Sequence, residues 1–383
     1  MPYTVLSIVA ALGRCGPING VYNTTRYLDP ANYRAVIATL SPEPADSLID
    51  AFRRLGVPVR QLGLSRATSL LFGVREVRRL IAEIRPDLVH CHGIRADVLT
   101  ALAVPACAVV STLHSDLFCD YRSAYGRSIG TVGALCEYAA LRRLAGVVAV
   151  SQPLADVASL HGVKALAIPN GVETDVFHPA ANPGIVTALR DRLGWPSDAV
   201  VVVHTGALRS LKNPVSVLSG FRASALSRRG LLVFAGDGPL RQNCEELASG
   251  DSNVVFLGAR SDIGDLLRAS DILISASSSE GLGTALLEGC ACGIRVLVSD
   301  IPAHRYIQSL FPEQVTIFGH EDAESVRAAL DNIDAEHARA RFLPPQFVLE
   351  SVSARHMSNA YQSFYSEVLK SCSSSAAKSA GAM

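Results

Sequence analysis

The chain has 383 residues, of which 49% are hydrophobic and 18% charged. That is enough apolar material for two ordinary cores and excludes disorder over most of its length. The 35 basic residues balance 35 acidic ones and aromatics are only 6%, which excludes the dense basic clustering with interleaved aromatics of a nucleic-acid binder.

In chain order, Tyr3–Leu12 reads as a strand and Gly13–Gly20 (GRCGPING) as a glycine-rich loop. Further strands are expected at Ala35–Leu40, Val57–Leu62, Leu88–His90 and Ala108–Leu113, with helical stretches between them. Within Gly73–Ile84, Val74, Val77, Ile81 and Ile84 recur at helical spacing while Arg75, Arg78 and Arg79 occupy the other faces, so one side packs and the other is basic. Pro169–Pro179 (PNGVETDVFHP) is turn-rich and bounded by prolines, which suits a linker with the boundary near Gly171. Alternation then restarts with strands at Ala199–His204, Gly230–Ala235, Asn253–Leu257, Asp271–Ala276 and Arg295–Val298. The expected fold class is α/β, with domains at 1–170 and 171–350, a helix over 351–370 packing back on the first domain, and a disordered serine- and alanine-rich tail at 371–383.

No apolar run reaches the length of a bilayer span, and Met1–Leu12 lacks a basic leader and cleavage site, so a cytoplasmic location is expected. The nine cysteines show no CxxC pairing and read as reduced thiols. Met1–Asn170 carries 17 basic and 12 acidic residues against 18 and 23 in the remainder. A first half at net +5 is compatible with peripheral contact to an anionic membrane or with a phosphorylated acceptor.

The densest chemistry lies in Ser277–Gly293 (SSSEGLGTALLEGCACG), after the strand-like Asp271–Ala276 and running into a helix-like Ala285–Cys292. Ligands of open parallel sheets collect at the carboxyl ends of strands, and a helix start favours phosphate there. Gly281 and Gly283 allow close backbone approach. Glu280 falls in the turn and Glu288 about one turn inside the helix, so one carboxylate reaches a sugar and the other a ribose. Taken alone, the same two residues read more readily as a helix-capping acid and a solvated helix residue.

Together with their surroundings, these residues resemble the retaining glycosyltransferases of family four. The resemblance rests on Glu280 and Glu288 with seven residues between them, continuing through Ala291–Gly293 to Ser299, Asp300, Ile301 and Pro302. It extends to Pro169–Val172 with Asp175, Phe177 and Pro179, to Gly236–Leu240 (GDGPL), and to Asp87–His90 with His92 and Gly93. It implies the GT-B architecture, two Rossmann-like α/β/α domains facing across a cleft. The implied reaction is transfer of a sugar from a nucleotide diphosphate sugar to a hydroxyl acceptor, with retention and without an essential metal or other cofactor.

By position, the resemblance gives Glu280 the donor-sugar hydroxyls, Glu288 the ribose, and the backbone around Gly281, Leu282, Gly283, Thr284 and Ala285 the sugar and diphosphate. Lys212 in Gly206–Pro214 (GALRSLKNP) matches a diphosphate-binding lysine. Ala207 stands where the family commonly has an arginine, and Arg209 is the candidate replacement. His114 in VSTLHSD matches a histidine used beside donor sugar and acceptor, whereas His92 reads as structural. Gly16 and Asn19 fall in the first glycine-rich loop, and Gly238 and Arg260 near the nucleobase. Cys290 sits among small helical residues and reads as packing. The implied acceptor is a sugar or a lipid-linked sugar of surface polysaccharide or glycolipid assembly, and a UDP-sugar is favoured over a GDP-sugar as donor. Two alternatives fit the same residues: a GT-B sugar-nucleotide epimerase or hydrolase, and a catalytically silent GT-B binding module.

Overall fold

A computed structural model describes residues 1–380. The chain divides into two compact units, Met1–Gly171 with the segment from Ala354 onward, and Val172–Ser353.

The first unit is built on a parallel sheet of β1 (Tyr3–Val9), β2 (Tyr33–Thr39), β3 (Val59–Gln61), β4 (Leu88–His92), β5 (Ala108–Leu113), β6 (Gly146–Ala149) and β7 (Ala165–Ala167), in the order β3-β2-β1-β4-β5-β6-β7. Side chains alternate across its strands. On one face Leu6 and Ile8 pack with Val77, Leu80 and Leu99 from the helices Arg66–Ile84 and Ile94–Ala103. On the other, Val5, Leu88 and Val110 meet Met357, Tyr361, Phe364 and Tyr365 of the C-terminal helix Ala354–Ala380. That helix is therefore part of the first unit's core, although the chain reaches it only after completing the second.

The second unit repeats the plan with β8 (Val200–Thr205), β9 (Gly230–Ala235), β10 (Val254–Gly258), β11 (Ile272–Ser275), β12 (Arg295–Ser299) and β13 (Val315–Phe318), all parallel, in the order β10-β9-β8-β11-β12-β13. Its central strands β8, β9 and β11 are fully buried, largely apolar runs, as a sheet covered on both faces requires. Both units are thus Rossmann-like, and in each the strand order reverses beside the first strand, between β1 and β4 and between β8 and β11.

Three features depart from the sequence reading. The strands β6, β7 and β13 have only three or four residues each, too few to announce a period. Gly13–Gly20 is not a loop throughout: a helix begins at Gly16 and runs to Arg26. Pro17 fits its first turn, where no backbone donor is needed, and the burial of Ile18 and Val21 holds it down. Finally, residues 371–380 continue the C-terminal helix instead of forming a disordered tail, because serine and alanine extend a helix already nucleated by its packed half. The expectation for the last three residues, 381–383, falls outside the described residues.

Candidate active site

The loop after β8 and the turn after β11 leave adjacent strands at the reversal point, where an open parallel sheet leaves a crevice. They are stitched together where Ser278 N–H donates to the Leu211 carbonyl at 2.9 Å. The first loop is also tied to the turn after β9, with Leu208 N–H donating to Asp237 O and Leu240 N–H to Leu208 O, both at 2.9 Å. Backbones meet so closely here that a Cβ on Gly236 would stand 1.8 Å from Gly206 O, and one on Gly238 2.6 Å from Leu208 O. Only glycine fits, which explains the GDGPL turn.

This stitching brings Lys212, on the 3-10 turn Ser210–Lys212, against Glu280, and the Lys212 ammonium donates to Glu280 Oε1. Ser277 Oγ donates to the same oxygen at 2.8 Å and is itself 2.9 Å from Ser275 Oγ. Ser299 Oγ donates to the Ser277 carbonyl at 2.6 Å, and His304 Nδ1 lies 2.8 Å from Ser299 O. Burial works to raise the Glu280 carboxyl, but Lys212, His304 and the Ser277 hydroxyl outweigh it and hold the group below its ordinary value. Glu280 is therefore a carboxylate at neutral pH. His204 and His304 flank this pair electrostatically, and each keeps a buried Nε2 with no partner among the described residues. Burial lowers both imidazoles, His204 to about 4, so both are neutral at pH 7.

Beyond Glu280 the chain turns at Gly283, whose φ of 86° belongs to the left-handed region that glycine tolerates, and enters the helix Thr284–Ala291. Its N-cap residue, Gly283, carries no side chain to cap it, and its first turn holds no acid. The positive end of such a helix favours negative charge. Leu282 is buried, so only its backbone is offered to a ligand, whereas Thr284 and Ala285 are half-buried. Glu288 is half-buried and has no ion pair or side-chain hydrogen bond among the described residues. Burial pushes its carboxyl up to about 8. Arg209 is exposed at the start of the Lys212 turn. The Arg260 guanidinium is held by Asp262 through two bonds, at 2.8 and 2.6 Å, which leaves the backbone as its offering.

In the first unit, His114 follows β5 and His92 ends β4, with His92 Nδ1 3.0 Å from His114 Nε2. His90 Nδ1 lies 2.7 Å from Tyr365 Oη and its Nε2 2.8 Å from Thr112 Oγ1, so both its nitrogens are satisfied. By contrast, His92 Nε2 and His114 Nδ1 are buried without partners among the described residues. Burial lowers all three imidazoles, His90 to about 3 and His114 to about 4, and keeps them neutral. Gly16 and Asn19 lie in the first turn of the helix Gly16–Arg26, where Asn19 N–H donates to Cys15 O at 2.9 Å.

Two family models match the chain in succession, Glycosyltransferase Family 4 over residues 16–176 and Glycosyl transferases group 1 over 186–341. The chain is a glycosyltransferase of the GT-B type. Among curated relatives, the UDP-Gal:alpha-D-GlcNAc-diphosphoundecaprenol alpha-1,3-galactosyltransferase of Escherichia coli is 26% identical over 271 residues, covering 67% of this chain and 68% of that protein. The GDP-mannose-dependent alpha-(1-6)-phosphatidylinositol dimannoside mannosyltransferase of Mycobacterium tuberculosis is 32% identical over 139 residues, 34% of each chain. HepE of Anabaena, solved with UDP and glucose, shares the fold with a TM-score of 0.77 at 17% identity, covering 95% of this chain and 100% of that one.

Reading the glycosyltransferase from its sequence gave His92 a structural role and passed over His304 and the serine chain around Glu280. A signal for His92 existed: β4 and β5 pair with His92 opposite Thr112, so His90, His92, Thr112 and His114 share one face by parity. No comparable signal marks His304, whose link to Glu280 passes through Ser299 and Ser277.

Proposed function

We propose that this glycosyltransferase is a retaining, metal-independent hexosyltransferase that uses a UDP-sugar and delivers the sugar to a hydroxyl of a sugar or lipid-linked acceptor in surface polysaccharide or glycolipid assembly. The observation that carries the proposal is the Lys212–Glu280 pair set beside an acid-free helix start that glycine leads into. A cation and a row of backbone amides suit a diphosphate, and a carboxylate between them suits sugar hydroxyls. The E. coli relative's name specifies UDP-Gal and HepE was solved with UDP, which supports uridine; the mycobacterial relative's GDP-mannose is the competing choice.

In the proposed reaction the C1–O bond to the diphosphate breaks and its electron pair passes to the β-phosphate oxygen. The acceptor oxygen bonds to C1 on the same face, and its proton goes to that leaving oxygen. Lys212 and the amides after Gly283 meet charge that grows as the bond breaks, so they stabilise the transition state more than the ground state. Glu280 orients the sugar and holds the ammonium in place, and Glu288 accepts the ribose hydroxyls. Arg209 supplies the cation that Ala207 cannot, and His114 takes the resemblance's role beside the sugar.

Calorimetric titration of UDP-, GDP- and ADP-sugars, with chelator and with magnesium, tests this directly. The expected result is binding of a UDP-sugar that is indifferent to metal and weakened in Glu288→Ala, with an α-linked product from an α-linked donor by NMR. Binding of no nucleotide sugar, or an inverted product, overturns it.

A further inference from the structure

The helix Arg66–Ile84 is amphipathic in the expected sense only in its second half, where Val77 and Leu80 are buried. Its first half is inverted. The consecutive residues Leu70, Leu71 and Phe72 are 88%, 76% and 50% exposed, while the small Ser69 and Gly73 turn inward. Gly73 sits so near Leu99 that a Cβ there would come within 2.8 Å of its methyl groups. The helix thus lies tightly on Ile94–Ala103 through small residues and presents its large apolar ones to the outside.

The helix Arg127–Leu141 repeats the pattern. Gly130 lies against the Tyr121 backbone and Ala134 is buried, while Ile129, Val132 and Leu135 are 71%, 60% and 53% exposed. This helix also packs on Ile94–Ala103. The two helices approach each other at their starts, where the Arg66 guanidinium lies 5.8 Å from the ring centroid of Tyr125, itself exposed just ahead of Arg127.

Around the apolar residues the charge is one-sided. Arg66, Arg75, Arg78, Arg79 and Arg127 are exposed on the two helices. Few acids oppose them: Glu137 is buried, Glu83 lies 3.5 Å from Arg60, and Glu76, 3.9 Å from Arg79, offsets that one arginine. An exposed apolar patch of this kind marks an interaction surface, and an arginine rim selects an anionic partner. A second copy of the chain is disfavoured as that partner, since a two-fold interface would set arginine against arginine.

We propose that this face of the first unit docks on an anionic lipid surface, with Leu70, Leu71, Phe72, Ile129 and Val132 entering the headgroup boundary and the arginines meeting lipid phosphates. No helix among the described residues is long and apolar enough to cross a membrane, and the contact proposed is peripheral. It deepens the lipid-linked acceptor of the proposed function and rests on that part of the reading for its purpose, though the surface stands on its own geometry.

The full chain is to be sedimented with phosphatidylglycerol–phosphatidylcholine vesicles and with pure phosphatidylcholine vesicles, alongside Leu71→Asp, Ile129→Asp and the double variant Arg75→Glu/Arg79→Glu. Circular dichroism and donor titration on the same preparations show that the variants fold. The expected result is binding to the anionic vesicles only, weakened at least about tenfold in each variant and reduced by salt. A wild-type protein that stays in the supernatant, or variants that bind as well as it does, overturns the proposal. So does light scattering that shows a dimer which the variants dissociate, since the face then belongs to a second copy. Vesicle binding without donor binding would instead count against the proposed reaction and leave the surface standing.

Discussion

Two ion pairs in the second unit sit at opposite ends of the same strand, and they are built to opposite standards. Ahead of β11, Arg190 and Asp271 are 5% and 2% exposed and meet at 2.7 Å. The guanidinium also donates to the carbonyls of Ala269 at 2.9 Å, Ala199 at 3.1 Å and Ser197 at 3.2 Å, and Asp271 Oδ2 accepts from Val201 N–H at 2.9 Å. Arg341 stands 3.6 Å from the other oxygen. Beyond the strand's far end, Lys212 and Glu280 are 19% and 11% exposed, yet both the ammonium and the Ser277 hydroxyl crowd onto Oε1, and Oε2 accepts nothing among the described residues. The saturated pair is a staple between helix, loop and sheet. The undersupplied one, with two orphaned imidazole nitrogens near it, has the unmet bonding capacity a substrate could fill.

The largest effect should come from breaking the staple. Asp271→Ala strands a buried guanidinium and is expected to cost about 3–5 kcal/mol in urea unfolding, with near-normal turnover in whatever remains folded. Glu280→Gln should reverse that outcome. Glutamine keeps a bond from Ser277, so stability falls by only about 1–2 kcal/mol, while loss of the carboxylate lowers kcat about 100- to 1000-fold. If the two variants behaved alike in either assay, the distinction between staple and site would collapse.

A smaller, pH-dependent effect separates Glu288 from both pairs. Its carboxyl is raised to about 8 in the folded protein, so the stability tied to its protonated form is complete below its unfolded value, near 4.5, and is lost as pH rises through about 8. Glu288→Gln should therefore match the wild type in thermal unfolding at pH 5 and surpass it near pH 9. Donor affinity should move the other way, since only the ionised carboxylate accepts from two ribose hydroxyls: wild-type binding strengthens as pH rises towards about 8, and the variant shows no such trend.

Much of the scaffold was legible in the chain. The DILISA run became β11 and the small, aliphatic stretch after Gly283 became a helix, because a fully buried strand and a buried helix both leave uninterrupted apolar signatures. Less legible was whatever depended on a partner remote in sequence. Glycine density suggested a loop at Gly13–Gly20, but packing of Ile18 and Val21 made it largely helix. Periodicity found the packed half of Arg66–Ile84 and gave no hint that Leu70–Phe72 would face outward, because an apolar triplet is normally evidence of burial.

By itself, then, the sequence determined the alternation of strand and helix, the division into two units' worth of apolar material, and the residue types gathered at the candidate site, all of which are written in local pattern and spacing. Tertiary structure alone decided which groups are satisfied. Lys212 reaches Glu280 across 68 residues, Arg190 reaches Asp271 across 81, and Tyr365 reaches His90 across 275. Whether a buried polar group is a staple or a site turns on how many of its bonds the fold has already filled, and bonds between distant segments have no period to read.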